Sequence, residues 1–418
     1  FFWVARMIMT GLKFLDEIPF CDVYIYATVL NREGKRMSKS LGTGIDPLDL
    51  TAQYGTDATR FAITMQAGKT QDMRFDDGRR KPGDPIRAPL CETSRNFANK
   101  IWNAARFVLM NMSSECGVRS AEPGKGAQQP ALGTPNSELR TPHSELSDRW
   151  ILSRLHRTIE TVNRSFAEYS FDEAAKALYA FLWNEYCDWY VELAKPRLRE
   201  GDGTVRGLLL HVLDQSLRLL HPYMPFITEE IWRKLPGAGE SIMVADFPEF
   251  DPECVDEDAE RDMAQVMEVI TALRNMRAEM NVPASRPIPT AILGAADGEV
   301  ARLEPWSGYI RSLARVDEVR FESPEAAQQH RQALSRAVAG VQALVPLAGL
   351  VDIDAEVQRL TREMEGLGKE VQRLNAKLAN EQYLTKAPPA VVEKDRQRQA
   401  ELAERHRALR ARLAVLRG

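Results

Sequence analysis

The chain has 418 residues and a near balance of charge, 59 acidic side chains against 55 lysines and arginines, for a formal net charge of −4. That length accommodates about two to four domains, each able to bury its own core, and that balance excludes a globally basic nucleic-acid binder, so any RNA contact must rest on local patches. Five cysteines, Cys21, Cys91, Cys116, Cys187 and Cys254, are far apart with no CxxC pair, which argues against a disulfide framework and a structural zinc site and suits a reducing compartment.

The opening run Phe1 to Gly11 is apolar, but Arg6 interrupts it and it is too short to cross a bilayer. It reads as a core helix, neither signal peptide nor anchor. A start at Phe1 inside an apparent core element leads us to expect a chain truncated at its N-terminus. Cys21 to Leu30, rich in β-branched and aromatic residues, is expected as a strand. The segment Gly34 to Gly42 follows, with Lys39 as a mobile cation, Ser38 and Ser40 as hydroxyl donors, and two glycines that permit the positive φ angles of an anion-holding loop. A solvated basic turn would carry the same letters. Asp46 and Pro47 form an N-cap and first position for a helix through Leu50 and Tyr54 that Gly55 stops, and a second helix runs through Ala58, Phe61, Ala62 and Met65. A loop that follows a strand and precedes a helix lies where open α/β sheets bind ligands.

Turn chemistry from Asp77 to Pro85 marks a linker. Beyond it, Phe97, Ile101, Ala104 and Val108 make an apolar helical stripe with Arg95, Asn99, Lys100, Asn103 and Arg106 opposite. Ser113 to Ser147, rich in Pro, Gly, Ser, Thr and Gln, is expected to be a flexible insertion. Helical periodicity then resumes from Asp148 through Trp150, Leu155, Ile159 and Val162, and again over Leu178 to Leu193, Leu208 to Leu220 and Phe226 to Leu235, a bundle of four or five antiparallel helices. Between 283 and 349, β-like runs at Ile288 to Leu293, Val316 to Phe321 and Val341 to Pro346 suggest a small α/β module. Finally Ile353, Val357, Leu360, Met364, Leu367, Val371, Leu374 and Leu378 alternate steps of four and three, the a/d spacing of a coiled coil. Ala387-Pro388-Pro389 breaks it, and Val392, Leu402, Leu409, Leu413 and Leu416 return as a weaker stripe, giving an antiparallel hairpin. From Lys386 onward nine basic residues face four acidic ones. They suit an RNA-backbone clamp, or simply the solvated face of a coiled coil.

Read as letters, Arg36 to Ser40 resembles the KMSKS signature of class I aminoacyl-tRNA synthetases. Phe1 to Met7, Ile45 to Asp49 and Asp57 to Phe61 are similar to the members for branched aliphatic amino acids. Asn96 to Phe107, Asp148 to Leu155, His221 to Glu230 and Ser241 to Met243 resemble the anticodon-binding region of the valyl-tRNA synthetase family. The absence of a C-terminal cysteine cluster separates the chain from the isoleucyl relatives. The resemblance covers almost the whole chain except 77–90 and 113–146. It implies a multidomain, mostly α protein: the C-terminal part of a Rossmann-like α/β catalytic domain (1–85), a helical anticodon-binding domain (86–282, with the insertion at 113–147), a small α/β module (283–350) and an antiparallel coiled-coil arm that binds tRNA (351–418).

By that resemblance the reaction is ATP-dependent activation of valine to valyl-adenylate and transfer of valine to tRNA(Val), with Mg2+ expected beside ATP. Lys39 is then the catalytic residue, swinging onto the leaving pyrophosphate, and Arg36, Met37, Ser38, Lys39 and Ser40 form the ATP-binding loop. Arg36 stands where the family more often has lysine, and Tyr26 where it often has histidine near the adenine. Trp3 either borders the amino-acid pocket or is an ordinary core tryptophan. Arg95, Asn99, Lys100, Asn103 and Arg106, with Lys386, Lys394, Arg396, Arg398 and Arg405 of the arm, are the candidate tRNA contacts, the first five being otherwise a plain wet helix face. No metal ligands and no membrane partner are expected, and a cytoplasmic monomer is. There is no HIGH-type motif and no segment like the editing domain, so the chain alone is expected not to form valyl-adenylate. A tRNA-binding protein that lost catalysis, or an isoleucyl or leucyl relative, are the alternatives.

Overall fold

A computed structural model describes residues 2–37, 44–68, 72–79, 84–112, 145–283, 285–330, 332–347, 350, 353–380, 383 and 388–417. Most described residues are helical, with two small sheets. The chain divides into two compact units, Phe1–Glu260 and Arg261–Gly418.

The first unit opens with α1 (Phe2–Phe14). It is a helix as expected, yet its only buried residue is Gly11, while Phe2 is 74% and Trp3 70% exposed. The core-helix expectation is therefore corrected: an apolar helix becomes core only when another layer covers it, and among the described residues none does. The expected strand at Cys21 to Leu30 shrinks to β1 (Val29–Leu30), paired in parallel with β2 (Met73–Arg74). β-propensity does not make a strand without a neighbour to take its hydrogen bonds, and residues 21–28 have no ladder partner among the described residues.

Two short helices follow, α2 (Pro47–Tyr54) and α3 (Thr56–Thr64), with Gly55 at φ +91° between them. The long α4 (Pro89–Met112) buries the expected stripe of Phe97, Ile101, Ala104 and Val108. Next come α5 (Leu146–Ala167), α6 (Phe171–Ala180), a π-helix (Phe181–Tyr190), α7 (Val191–Arg199), α8 (Gly203–Leu220) and α9 (Pro225–Trp232). The sequence GLLLHVLDQSLRLL is apolar nearly all round, and α8 accordingly buries Val205, Leu208, Leu209, Leu210, Val212, Leu213, Leu217, Leu219 and Leu220 as the bundle's central helix. Each such side chain contributes roughly 1.5–3 kcal/mol by leaving water.

The helical run expected over Leu178 to Leu193 is continuous but changes hand-spacing at Phe181, where the wider π-turn takes over. Within this stretch Tyr186 and Tyr190 are completely buried. Each finds an acceptor: Tyr186 Oη donates to the Leu209 carbonyl at 2.9 Å and Tyr190 Oη to Asp148 Oδ1 at 3.0 Å. Asp148 also accepts from Arg197 Nη1 at 2.8 Å, and Arg197 reaches Asp202, which caps α8 through the Thr204 and Val205 amides. One buried polar cluster thus ties four helical elements of the unit together.

From α10 (Glu257–Glu279), whose later turns open the second unit, the chain enters β3 (Ile288–Gly294), α11 (Asp297–Leu303), α12 (Ser307–Ala314), β4 (Val316–Glu322), the single turn α13 (Pro324–Ala327), β5 (Ala333–Val338) and β6 (Val341–Pro346). The four strands form one sheet in the order β4-β3-β6-β5, with β3 and β4 parallel across a helical crossover and the rest antiparallel. Three strands lie where expected, and β5 was missed. Its hairpin turns on Ala339 (φ +49°) and Gly340 (φ +77°), a two-residue turn whose alanine carries none of the usual Asn-Gly or Asp-Gly signal. Gln265 Nε2 holds that turn by donating to the Ala339 carbonyl at 2.9 Å. The last two helices are α14 (Ile353–Leu378) and α15 (Pro389–Arg417). They pack on one another in opposite directions, Glu363 meeting Arg405 and Glu370 meeting Arg398.

Candidate functional site

The glycine-flanked loop begins with a tight reversal. The Asn31 side chain accepts from the Glu33 and Lys35 amides at 3.1 and 2.8 Å, the Gly34 amide donates to the Asn31 carbonyl, and Gly34 adopts φ +76°. The Arg74 guanidinium lies against Gly34, so a Cβ there would meet it at 3.3 Å. This turn folds Arg36 back beside Leu30 in an isolated bridge and leaves its side chain exposed. Met37 instead packs on the cluster of Leu50, Tyr54, Ala58 and Phe75. Its observed part is that of an anchor. Ile45 packs on the same cluster, and Asp46 caps α2 by accepting from the Leu48 amide at 2.9 Å. Ser38, Lys39 and Ser40, the centre of the expected ATP loop, lie outside the described residues; the residues on either side of them share one apolar anchorage.

Two segments singled out by resemblance, Asp57 to Phe61 and His221 to Glu230, meet in space. Asp57 accepts from the Phe226 and Ile227 amides at 3.3 and 2.7 Å, capping α9 from another helix, and Arg60 donates to the Tyr223 and Pro222 carbonyls at 3.3 and 3.1 Å. Phe61 stacks on Phe97 and meets Tyr223 edge-on. Burial pushes the Asp57 carboxyl up, and the two amides pull it back. Beside this junction an open cavity of about 440 Å3 is walled by Tyr24, Tyr26, Phe166, Phe171 and Tyr223. Trp3, expected either at a pocket wall or in the core, is neither buried nor on that cavity; the Arg6 guanidinium lies over its ring at 5.2 Å.

The polar face of α4 is real but not uniform. Asn99, Asn103 and Arg106 are exposed. Lys100 is already committed, bonded to Asp188 at 2.6 Å and seated 3.8 Å above the Trp183 ring, and Arg95 pairs with Glu92 at 3.6 Å while lying over Tyr54. Sequence reading missed two neighbours of the exposed trio: Trp102, 40% exposed, and Lys234, 5.2 Å from its ring. A tryptophan one residue before Asn103 carries an outward signal only if the stripe is counted closely, since an apolar letter is usually assigned inward.

On α15, two of the expected RNA contacts are paired across the hairpin, Arg398 with Glu370 at 2.8 Å and Arg405 with Glu363 at 2.7 Å, and both arginine side chains stay exposed. Arg396 is within 4.0 Å of Glu393, both exposed. Lys394 is exposed with no ion partner among the described residues, as are Arg407 and Arg410, which the expectations did not single out. Lys386 lies outside the described residues.

The chain matches three family models in order along its length. Residues 1–76 match class I tRNA synthetases (I, L, M and V), 148–292 the anticodon-binding domain of tRNA ligase, and 352–417 the valyl tRNA synthetase tRNA binding arm. Over its whole length it is 40% identical to a valine–tRNA ligase of Geobacillus stearothermophilus and 38% identical to that of Bacillus subtilis, covering 44% of each; against that of Thermotoga maritima it is 40% identical over 95% of the chain and 42% of the relative. The chain thus spans less than half the length of these relatives. Among solved structures, a LeuRS of Agrobacterium radiobacter in complex with tRNA aligns with 60% of the chain and 27% of its own at 18% identity and a TM-score of 0.42, too low to carry weight.

Proposed function

We infer that this chain, a C-terminal portion of a protein of the valyl-tRNA synthetase family, supplies that enzyme's nucleotide loop and its tRNA-holding parts. The reaction is the activation of valine by ATP and the transfer of valine to tRNA(Val). What supports this reading most is the full-length match to valine–tRNA ligases, combined with three family models that fall in order on separate parts of the chain.

ATP, as its Mg2+ complex, and valine are the small substrates. Lys39, with Ser38 and Ser40, is assigned to the pyrophosphate. A displacement at the α-phosphate builds negative charge on the leaving group, and a lysine that meets it there lowers the barrier by electrostatics alone. The anchored flanks at Met37 and Ile45 would fix where such a loop begins and ends. Arg36 keeps a positive charge at the loop's entrance. The exposed trio on α4 belongs to the tRNA face, and α14 with α15 form a coiled-coil arm. The working division is a catalytic part (1–85), an anticodon-binding part (86–282), a small α/β module (283–350) and the arm (351–418), in a cytoplasmic monomer.

Valine-dependent exchange of pyrophosphate into ATP by the intact gene product tests the reading. Exchange driven by valine and lost in Lys39→Ala is expected. Exchange driven by isoleucine, or none, overturns it. The valyl reading is preferred to the isoleucyl one because the matching arm model is that of the valyl enzymes.

A further inference from the structure

Two glycines, Gly366 and Gly368, stand in the middle of α14, which otherwise contains neither glycine nor proline. Geometry does not call for them. A Cβ on Gly366 would meet nothing within 4 Å, and one on Gly368 would come no closer than 3.5 Å, to His406 Nε2, an ordinary van der Waals contact. Neither glycine is among those with positive φ. Alanine therefore fits both positions, yet a glycine in a helix interior lowers the local helix equilibrium roughly fivefold relative to alanine.

Packing does not make up the difference. Leu360 and Leu374 of α14 are buried, at 1% and 5% exposure, whereas Met364, Leu367 and Val371 between them are only half-buried. The pairs Glu363–Arg405 and Glu370–Arg398 bracket the facing stretch of α15. Within it only Gln399, Leu402 and Ala403 turn away from solvent, so Leu402 alone brings a large apolar side chain. On either side the hairpin is held: Glu363–Arg405 closes its base at 2.7 Å, and Glu370–Arg398 and Lys377–Asp395 close its distal part at 2.8 and 2.7 Å. After its first residue α15 has no glycine or proline, and it runs past this level as a continuous strut.

We propose that α14 carries a hinge at Gly366–Gly368: the helix opens locally there, and the distal part of the hairpin swings against its base while α15 bends without breaking. Local opening concentrates where buried apolar contacts are few, and glycine is a recurrent cause of helix kinks. Lys369 to Leu378 span roughly 15 Å of helix, so a kink of about 20° carries the tip through about 5 Å. The hinge is a property of the hairpin itself and holds whatever the arm binds.

Hydrogen exchange followed by mass spectrometry on the whole chain compares the wild type with Gly366→Ala/Gly368→Ala, and with Gln372→Ala as a control at an exposed position of the same helix. In the wild type, amides 366–371 should exchange faster than those around Leu360 and Leu374. The double variant should slow them about tenfold or more, and the control by no more than about twofold. Central amides as slow as those around Leu360 and Leu374, a steady gradient from tip to base, or a double variant no slower than the control would each overturn the hinge. The swing is read separately, by pulsed electron paramagnetic resonance between nitroxides attached through unnatural amino acids at the exposed positions Arg362 and Ala376. A distance distribution that is broad in the wild type and narrow in the double variant is expected. Equal widths in the two would contradict the swing.

Discussion

Replacing Asp148 with alanine should destabilise the first unit severely, and the reason can be worked from the contacts of one carboxylate. Asp148 is 1% exposed, accepts Tyr190 Oη at 3.0 Å and receives the Arg197 guanidinium at 2.8 Å on both oxygens. Burial pushes the carboxyl up, opposed by Arg197, while the same carboxylate helps to hold Arg197 charged. These directions pull against each other, and the geometry decides: a two-oxygen contact with a permanent cation keeps the carboxyl ionised at neutral pH, at a desolvation cost that leaves the pair little net gain. Breaking it is another matter. Asp148→Ala leaves Tyr190 Oη buried without its acceptor and Arg197 with Asp202 alone, a loss of about 3–5 kcal/mol. Arg197 would then pull on the Asp202 cap of α8. The double variant Asp148→Leu/Arg197→Met removes both charges and should cost less than the single one. Urea unfolding followed by tryptophan fluorescence reads the difference. A loss below about 1 kcal/mol for Asp148→Ala, or a double variant worse than the single one, would refute the reasoning.

Further outcomes follow from individual residues. Burial, then the neighbouring His156 and Arg218, hold His211 down to about 4, so it folds neutral; the unfolded chain takes up its proton below about pH 6.5, and stability should fall by ~3 kcal/mol between there and pH 4, a decline that His211→Leu removes from an acid-denaturation curve. Asp57→Ala deprives the first amides of α9 of their acceptor and should cost about 1–2 kcal/mol, with faster amide exchange at Phe226 and Ile227; exchange confined to Asp57's own helix would contradict the cross-helix cap. Gly294→Ala places a Cβ 2.4 Å from that of Ala327 and should cost about 1–3 kcal/mol by overpacking β3 against α13, visible as a lowered melting temperature of the second unit.

Local signals proved legible where they act within a few residues. Asp46 and Pro47 start α2 and Gly55 ends it because capping and positive φ are decided by the chain's nearest neighbours. The stripes of α4 and α14 were legible for the same reason, since a helical face is a property of spacing. What stayed hidden depends on partners distant in sequence. Nothing around Asp57 says that its carboxylate caps a helix starting at Pro225, and nothing around Arg398 or Arg405 says that Glu370 and Glu363 stand opposite. Composition therefore marked every arginine of the arm as equally available. The exposed α1 is the converse case: its letters state a wish for burial, and only the neighbouring layer can grant it.

The most direct test of the account is the binding of this chain to tRNA(Val) against tRNA(Ile) at one fixed, near-physiological salt concentration. On the proposed function the chain should hold tRNA(Val) more tightly by about tenfold, ~1.4 kcal/mol. Equal affinity for the two, or a preference for tRNA(Ile), would contradict it.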